Sequence, residues 1–170
     1  MKRLPIALVA GVLAVCSTLQ AHAQSAVARL EATKGNATAG TVTFTQKGDK
    51  VVVEAKVSGL TPGGHGFHIH EKGDCSSGDG MSAGGHFNPT AKPHGNPAGA
   101  DHHIGDIPML VADASGNATL SMDLAGMTVG SGATDVVGKA VIVHKDPDDY
   151  TTQPTGNSGG RVACGLIAKN

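Results

Sequence analysis

Eight of the nine histidines of this chain fall between His65 and His144. Six of them follow a spacing that supplies ligands: His-x-His, then two isolated histidines, then His-x-x-Asp, then one more. The opening pair lies in Gly-Phe-His-Ile-His, where strand alternation places Phe67 and Ile69 on one face and His68 and His70 on the other. A strand carrying two imidazoles at i and i+2, followed by a Gly-rich loop with further ligands, is a layout that can hold two metal ions.

The elements that must position these side chains read as strands. Thr41-Val42-Thr43-Phe44-Thr45 alternates polar and apolar, Gly48-Asp49 marks a turn, and the β-branched run 50–57 follows, so the two form a hairpin. Further strands are expected over 27–33, 65–70, 107–112, 118–124, 139–144 and 161–168, with turn residues such as those of 113–117 between them. Eight short strands without a long 3.6-period segment predict an antiparallel sandwich or barrel. Its aromatic residues are only Phe44, Phe67, Phe87 and Tyr150, so the core is expected to be built from Val, Leu, Ile and Ala.

Residues 71–106 break this pattern, being rich in Gly, Pro, Asp and His with no clear strand or helix. A loop of that length inside a compact domain is uncommon unless it is functional or disordered. His86, His94, His103 and Asp106 within it, together with Cys75, point to metal ligation and a covalent bridge as the source of its order.

Residues 1–23 read as a secretory signal: Lys2 and Arg3, an apolar stretch, then Ala21-His22-Ala23 before Gln24. Cys16 is the alternative site, for lipid attachment, although Val15 before it fits that pattern poorly. Removal of the signal leaves one domain over 24–170, and 13 basic against 14 acidic side chains becomes 11 against 14, a net charge of −3. No basic patch for nucleic acid and no further membrane span is present. Cys75 and Cys164 then remain in an exported, oxidising compartment, where they are a disulfide candidate. Asn36-Ala37-Thr38 and Asn117-Ala118-Thr119 match the short glycosylation acceptor pattern.

GFHIHEKGDC, AGGHFNP, KPHG, HHIGD, VIVH and GGRVACGLI, in this order and spacing, resemble the copper/zinc superoxide dismutases across nearly the whole of 24–170. The resemblance implies an eight-stranded Greek-key β-barrel, with long metal-binding and post-ligand loops. It also implies one copper and one zinc per subunit. Copper would be held by His68, His70, His86 and His144, and zinc by His86, His94, His103 and Asp106, with the His86 ring between the two ions. Four imidazole nitrogens suit a copper ion that cycles between oxidation states, and three imidazoles with one carboxylate suit a closed tetrahedral zinc site. By the same resemblance Asp148 joins a copper histidine to a zinc histidine. Arg161 orients a small anion, and His86 takes and returns a proton. His102 is expected to be solvated, His65 to be a structural hydrogen-bonding residue, and Asp146 and Asp149 to belong to a solvated acidic loop.

The implied activity is disproportionation of superoxide to dioxygen and hydrogen peroxide. Cys75 directly after Gly73-Asp74 is similar to the bacterial branch, which implies a periplasm or cell envelope. The stretch 151–160 carries no charge, so the charged cluster that relatives use there to steer superoxide is missing. Lys72, Lys92 and Lys145 flank the ligand motifs and are the replacement candidates. The competing reading is an exported copper and zinc buffer without turnover, which would need the ligands but not Arg161. Superoxide, a possible copper donor and, for a homodimer rather than a monomer, a second copy are the expected partners.

Overall fold

The computed structural model describes residues 24–170; the expected signal segment, with Cys16 and His22, lies outside them. Nine strands and one turn of 3₁₀ helix (Met81–Ala83) are found among the described residues. The strands are β1 (Ser25–Ala32), β2 (Ala39–Lys47), β3 (Lys50–Ser58), β4 (Gly63–His65), β5 (Phe67–His70), β6 (Leu110–Ala112), β7 (Ala118–Ala125), β8 (Ala140–His144) and β9 (Arg161–Lys169). Eight were expected. The difference arises at Gly66, which interrupts the run 65–70 by donating its N–H to the Asp146 carbonyl and accepting from the His144 N–H. His65 therefore pairs with Leu110 in a β4–β6 ladder, whereas Phe67 pairs with Val143 in β5–β8. The strand expected from 107 starts only at Leu110.

Seven strands form one antiparallel sheet in the order β5-β8-β9-β1-β2-β3-β7, and β4-β6 form a separate pair. The β2–β3 hairpin closes at Lys47↔Lys50 around Gly48 and Asp49. β7 and β8, adjacent in sequence, lie far apart in the sheet order, β7 at one edge and β8 beside β5 at the other, so the chain crosses between them as a Greek-key topology requires.

Period-2 alternation sends Ala26, Ala28 and Leu30 of β1 and Val51, Val53, Ala55 and Val57 of β3 into the core, with Glu54 and Lys56 outside. The core is not purely aliphatic. Phe44 and Phe67 are fully buried within it, and each contributes about 1.5–3 kcal/mol by leaving water.

β5 and β8 are buried along their whole length, on both faces. Phe67, Ile69, Val141 and Val143 enter the main core, while Ala140 and Ile142 join Ala83 and Cys164 in a second apolar cluster on the opposite face. The loop after β5 covers that face. A Cys75–Cys164 disulfide ties the start of the loop to β9, closing a separation of 89 residues.

Candidate metal centre

β5 is an edge strand, and its free edge is occupied by the loop rather than by another strand. The Ile69 N–H donates to Gly105 O, the Phe87 N–H to Ile69 O and the Gly105 N–H to Phe87 O, each at 2.8 Å. Gly105 comes so close that a Cβ there would collide with the Ile69 carbonyl. Isolated bridges pair His70 with His86 and His68 with Asp106. Loop ligands thus stand beside strand ligands, on the face of β5 away from the core.

Two groups of four side chains result: His68, His70, His86 and His144, and His86, His94, His103 and Asp106. Within each group the ligand atoms lie within 4.8 Å of one another, and every residue is buried. Both groups contain His86.

In the first group one ring nitrogen of each histidine faces an oxygen that can only accept. His68 Nε2 donates to Asp148 Oδ2 (2.6 Å), His70 Nδ1 to Gly84 O (2.9 Å), His144 Nδ1 to Gly159 O (3.2 Å), and His86 Nδ1 faces Asp106 Oδ1 (2.8 Å). The opposite nitrogens, His68 Nδ1, His70 Nε2, His86 Nε2 and His144 Nε2, are buried with no hydrogen-bond partner. Buried polar atoms are rarely left so. Fixing the proton on one ring nitrogen leaves the lone pair on the other, so four unpartnered lone pairs are gathered where a cation would satisfy them. Burial first, and the neighbouring imidazoles with it, lower the pKa of His70 well below its ordinary value, that of His86 to about 4 and that of His144 to about 3. All three rings are neutral at pH 7.

The second group is centred on Asp106. Its Oδ1 lies 2.8, 3.1 and 3.3 Å from Nδ1 of His86, His94 and His103, and its Oδ2 accepts from the backbone N–H groups of Gly95 and His103. Ligands at about 2.0–2.1 Å from a tetrahedral zinc are separated from one another by about 3.4 Å. The donor spacings here, 2.8 to 3.4 Å, suit such an ion. Burial works against the Asp106 charge, but hydrogen bonds from His103, His86 and His94 outweigh it and hold the carboxyl well below the usual range.

Asp148 links the groups: Oδ2 accepts from His68 Nε2 at 2.6 Å and Oδ1 from His94 Nε2 at 3.0 Å. Its Oδ1 also accepts from the Tyr150 N–H. Gly156 packs directly on this junction with φ +70°, where a Cβ would collide with Asp148 Oδ1. Burial disfavours the His94 charge, yet the carboxylates of Asp106 and Asp148 raise its pKa to about 9.

Arg161 reaches the ligand face through a β-bulge. Val143 pairs with Ala163, but His144 pairs with Arg161, so Val162 is an extra residue in β9. Ala163 faces the core, and strict alternation would send Arg161 there too; the extra residue turns it to the side of His144. Its Nη1 and Nη2 donate to the carbonyls of Gly80 and Gly84 at 2.7 Å each. Gly84 O also accepts from His70 Nδ1, so one oxygen joins the guanidinium to the first group. Neither the bulge nor these carbonyl acceptors is visible in the sequence, because both depend on partner-strand register.

The remaining residues separate clearly. His65 is buried, with Nδ1 2.8 Å from the His144 carbonyl and Nε2 2.8 Å from that of Thr61, outside both groups. His102 is half-buried rather than freely solvated, since Nδ1 donates to the His103 carbonyl. Asp149 is exposed and accepts from the Thr151 and Thr152 N–H groups, and Asp146 is exposed. Lys72 and Lys145 are exposed, whereas Lys92 is tethered to the Ala100 carbonyl and lies 3.8 Å from Asp101.

The model of the copper/zinc superoxide dismutase family (SODC) matches residues 38–167. A superoxide dismutase [Cu-Zn] 2 of Brassica juncea is 45% identical over 135 residues, which span 75% of this chain and 88% of that protein. Among solved structures, the crystal structure of the clock protein EA4 superposes with a TM-score of 0.77 at 41% identity. That match covers 85% of this chain and 93% of the other.

Proposed function

The chain belongs to the copper/zinc superoxide dismutase family, and from that premise we propose how its own residues serve the dismutation of superoxide to dioxygen and hydrogen peroxide. His68, His70, His86 and His144 would hold copper through the four ring nitrogens that otherwise lack a partner. His86, His94, His103 and Asp106 would hold zinc. Copper supplies the one-electron couple of the reaction, and zinc a cation without redox chemistry that orders the ligand loop.

The residues supply the rest. Arg161 holds the superoxide anion with its guanidinium, which is fixed in the plane set by the Gly80 and Gly84 carbonyls. Two superoxide ions and two protons give one dioxygen and one hydrogen peroxide. His86 Nε2 has a single lone pair, so it would bind a proton only when it does not hold the ion; in that state it would carry one of the two protons and return it, and the other comes from water. Asp148 and the carbonyls of Gly84 and Gly159 keep His68, His70 and His144 in the tautomers that face the ion. The four unpartnered nitrogens carry this reading.

A metal buffer would have no use for an arginine turned to the ligand face by a bulge and clamped there. The disulfide suits export through the segment 1–23 to a periplasm or cell envelope. Superoxide decay after pulse radiolysis of the zinc-loaded, oxidised protein, with and without added copper, tests the assignment. Fast copper-dependent decay is expected; no catalysis with copper bound to the four histidines would overturn it.

A further inference from the structure

We infer that Thr33 is a positioning residue for Arg161, acting through the carbonyls of the β-bulge that turns the guanidinium to the ligand face. The inference rests on the reading of Arg161 as the anion-orienting group. A bulge removes its residues from the regular ladder and leaves their backbone groups to find other partners. Val162 O keeps its place in the β1–β9 register, one step beyond Ala32↔Ala163, and it and Arg161 O both find the same residue. The Thr33 N–H donates to Val162 O at 3.1 Å, and Thr33 Oγ1 donates to Arg161 O at 2.7 Å.

The Arg161 carbonyl can only accept, so the Thr33 hydroxyl donates, and a third residue holds the hydroxyl in that orientation. Asn36 Nδ2 donates to Thr33 Oγ1 at 2.8 Å, so the hydroxyl accepts on that side and its own hydrogen points at the Arg161 carbonyl. Thr33 is buried just beyond the end of β1, and β1–β9 pairing reaches its neighbour at Ala32↔Ala163. The Lys34 N–H donates to Gly78 O, and Gly80, whose carbonyl holds Nη1, lies against the side chains of both Thr33 and Arg161. Thr33 thus fixes the Arg161 backbone from the β1 side while the disulfide-tethered loop fixes its guanidinium. Removing the hydroxyl leaves the Arg161 carbonyl without its donor, and the bulge relaxes with the side chain it aims.

The test is azide affinity, a small monoanion followed by the charge-transfer absorption of the copper/zinc-loaded protein, measured beside the thermal midpoint. Arg161→Gln, Thr33→Val, Thr33→Ser and the double variant Thr33→Val/Arg161→Gln are compared with the parent. Thr38→Val is the control: Thr38 is also buried and its Oγ1 donates to the Gly59 carbonyl, away from Arg161. Thr33→Val is expected to weaken azide by about threefold to tenfold, the worth of one hydrogen bond. Thr33→Ser should stay within about twofold of the parent, and the double variant should be no weaker than Arg161→Gln alone within the same margin. Thr38→Val should lower the midpoint without moving azide affinity.

Unchanged azide binding in Arg161→Gln would overturn the reading of Arg161 and the inference with it. A loss in Arg161→Gln without a loss in Thr33→Val, or additive losses in the double variant, would overturn the inference alone. Should Thr33→Val not fold, Asn36→Ala at an exposed position carries the test. A smaller weakening in the same direction supports the inference, and none overturns it.

Discussion

Replacing Asp148 with alanine should weaken zinc more than copper, although the carboxylate touches a histidine of each group. The substitution leaves two buried donors, His68 Nε2 and His94 Nε2, without their acceptor. What happens next depends on what else holds each ring. His68 is locked by the β5–β8 register opposite Ile142, and its ring packs 4.0 Å from that of His86. His94 lies on irregular backbone whose N–H and C=O both bond the Gln153 side chain, at 2.9 and 2.8 Å. The loop can move its ring out; the strand cannot. A hydrogen bond to a charged group is worth about 1.5–3 kcal/mol, which at the zinc group is roughly a 10- to 150-fold loss of affinity. Competition against a chromophoric chelator reads each metal separately, with copper expected to fall by less than about tenfold. Copper weakened more than zinc, or neither weakened, would refute the division into strand-held and loop-held ligands.

Zinc binding to the metal-free protein should release about one proton per ion at pH 7, because His94 with a pKa of about 9 is charged there. Calorimetry in two buffers of different ionisation enthalpy reads this release, which should fade as the pH passes 9. The same raised pKa gives the metal-free protein a contribution to stability that is full below about 6.5 and lost as the pH rises through about 9, visible in thermal midpoints. Cys75→Ser/Cys164→Ser opens a loop of 89 residues and should cost about 4 to 5 kcal/mol in the chain-entropy model, measured by urea unfolding. Gly105→Ala sets a Cβ against the Ile69 carbonyl and should cost about 1–3 kcal/mol and weaken zinc, read by the same unfolding and competition assays. Neutralising Lys72, Lys92 and Lys145 together should slow catalysis and flatten its dependence on ionic strength, with most of the effect from the untethered Lys72 and Lys145.

What the sequence shows and what it hides differ for a physical reason. Alternation alone places His68 and His70 on one face of a strand, and a hairpin around Gly48-Asp49 needs only local chemistry. The resemblance to the family, whose motif sets the ligand two residues before Gly-Asp, singles out His103 over His102, and the structure turns His103 Nδ1 toward Asp106 while His102 bonds a backbone carbonyl. Features that depend on two distant strands were not legible. The break at Gly66 follows from its bonds to Asp146 and His144, and the bulge at Val162 from a register shift against β8. The same holds for Thr33, whose sequence neighbourhood carries no sign of Arg161, 128 residues away. Local periodicity reports which face a residue takes on its own strand, and a bulge is where that report fails.

The shared ring of His86 makes the two groups depend on each other in one direction more than in the other. His68, His70 and His144 stand on β5 and β8, buried on both faces and fixed by the sheet whether or not a metal is present. His86 stands on the loop, attached to the strand by an isolated bridge to His70. The side chain is aimed by Asp106, which also gathers His94 and His103. An ion that cross-links three loop histidines and Asp106, as proposed, would therefore fix the His86 ring and, with it, the fourth nitrogen of the copper group. On the proposed assignment order flows from the zinc group to the copper group, since three of the four copper-group histidines have their backbone in the sheet, whereas all four zinc-group residues come from the loop.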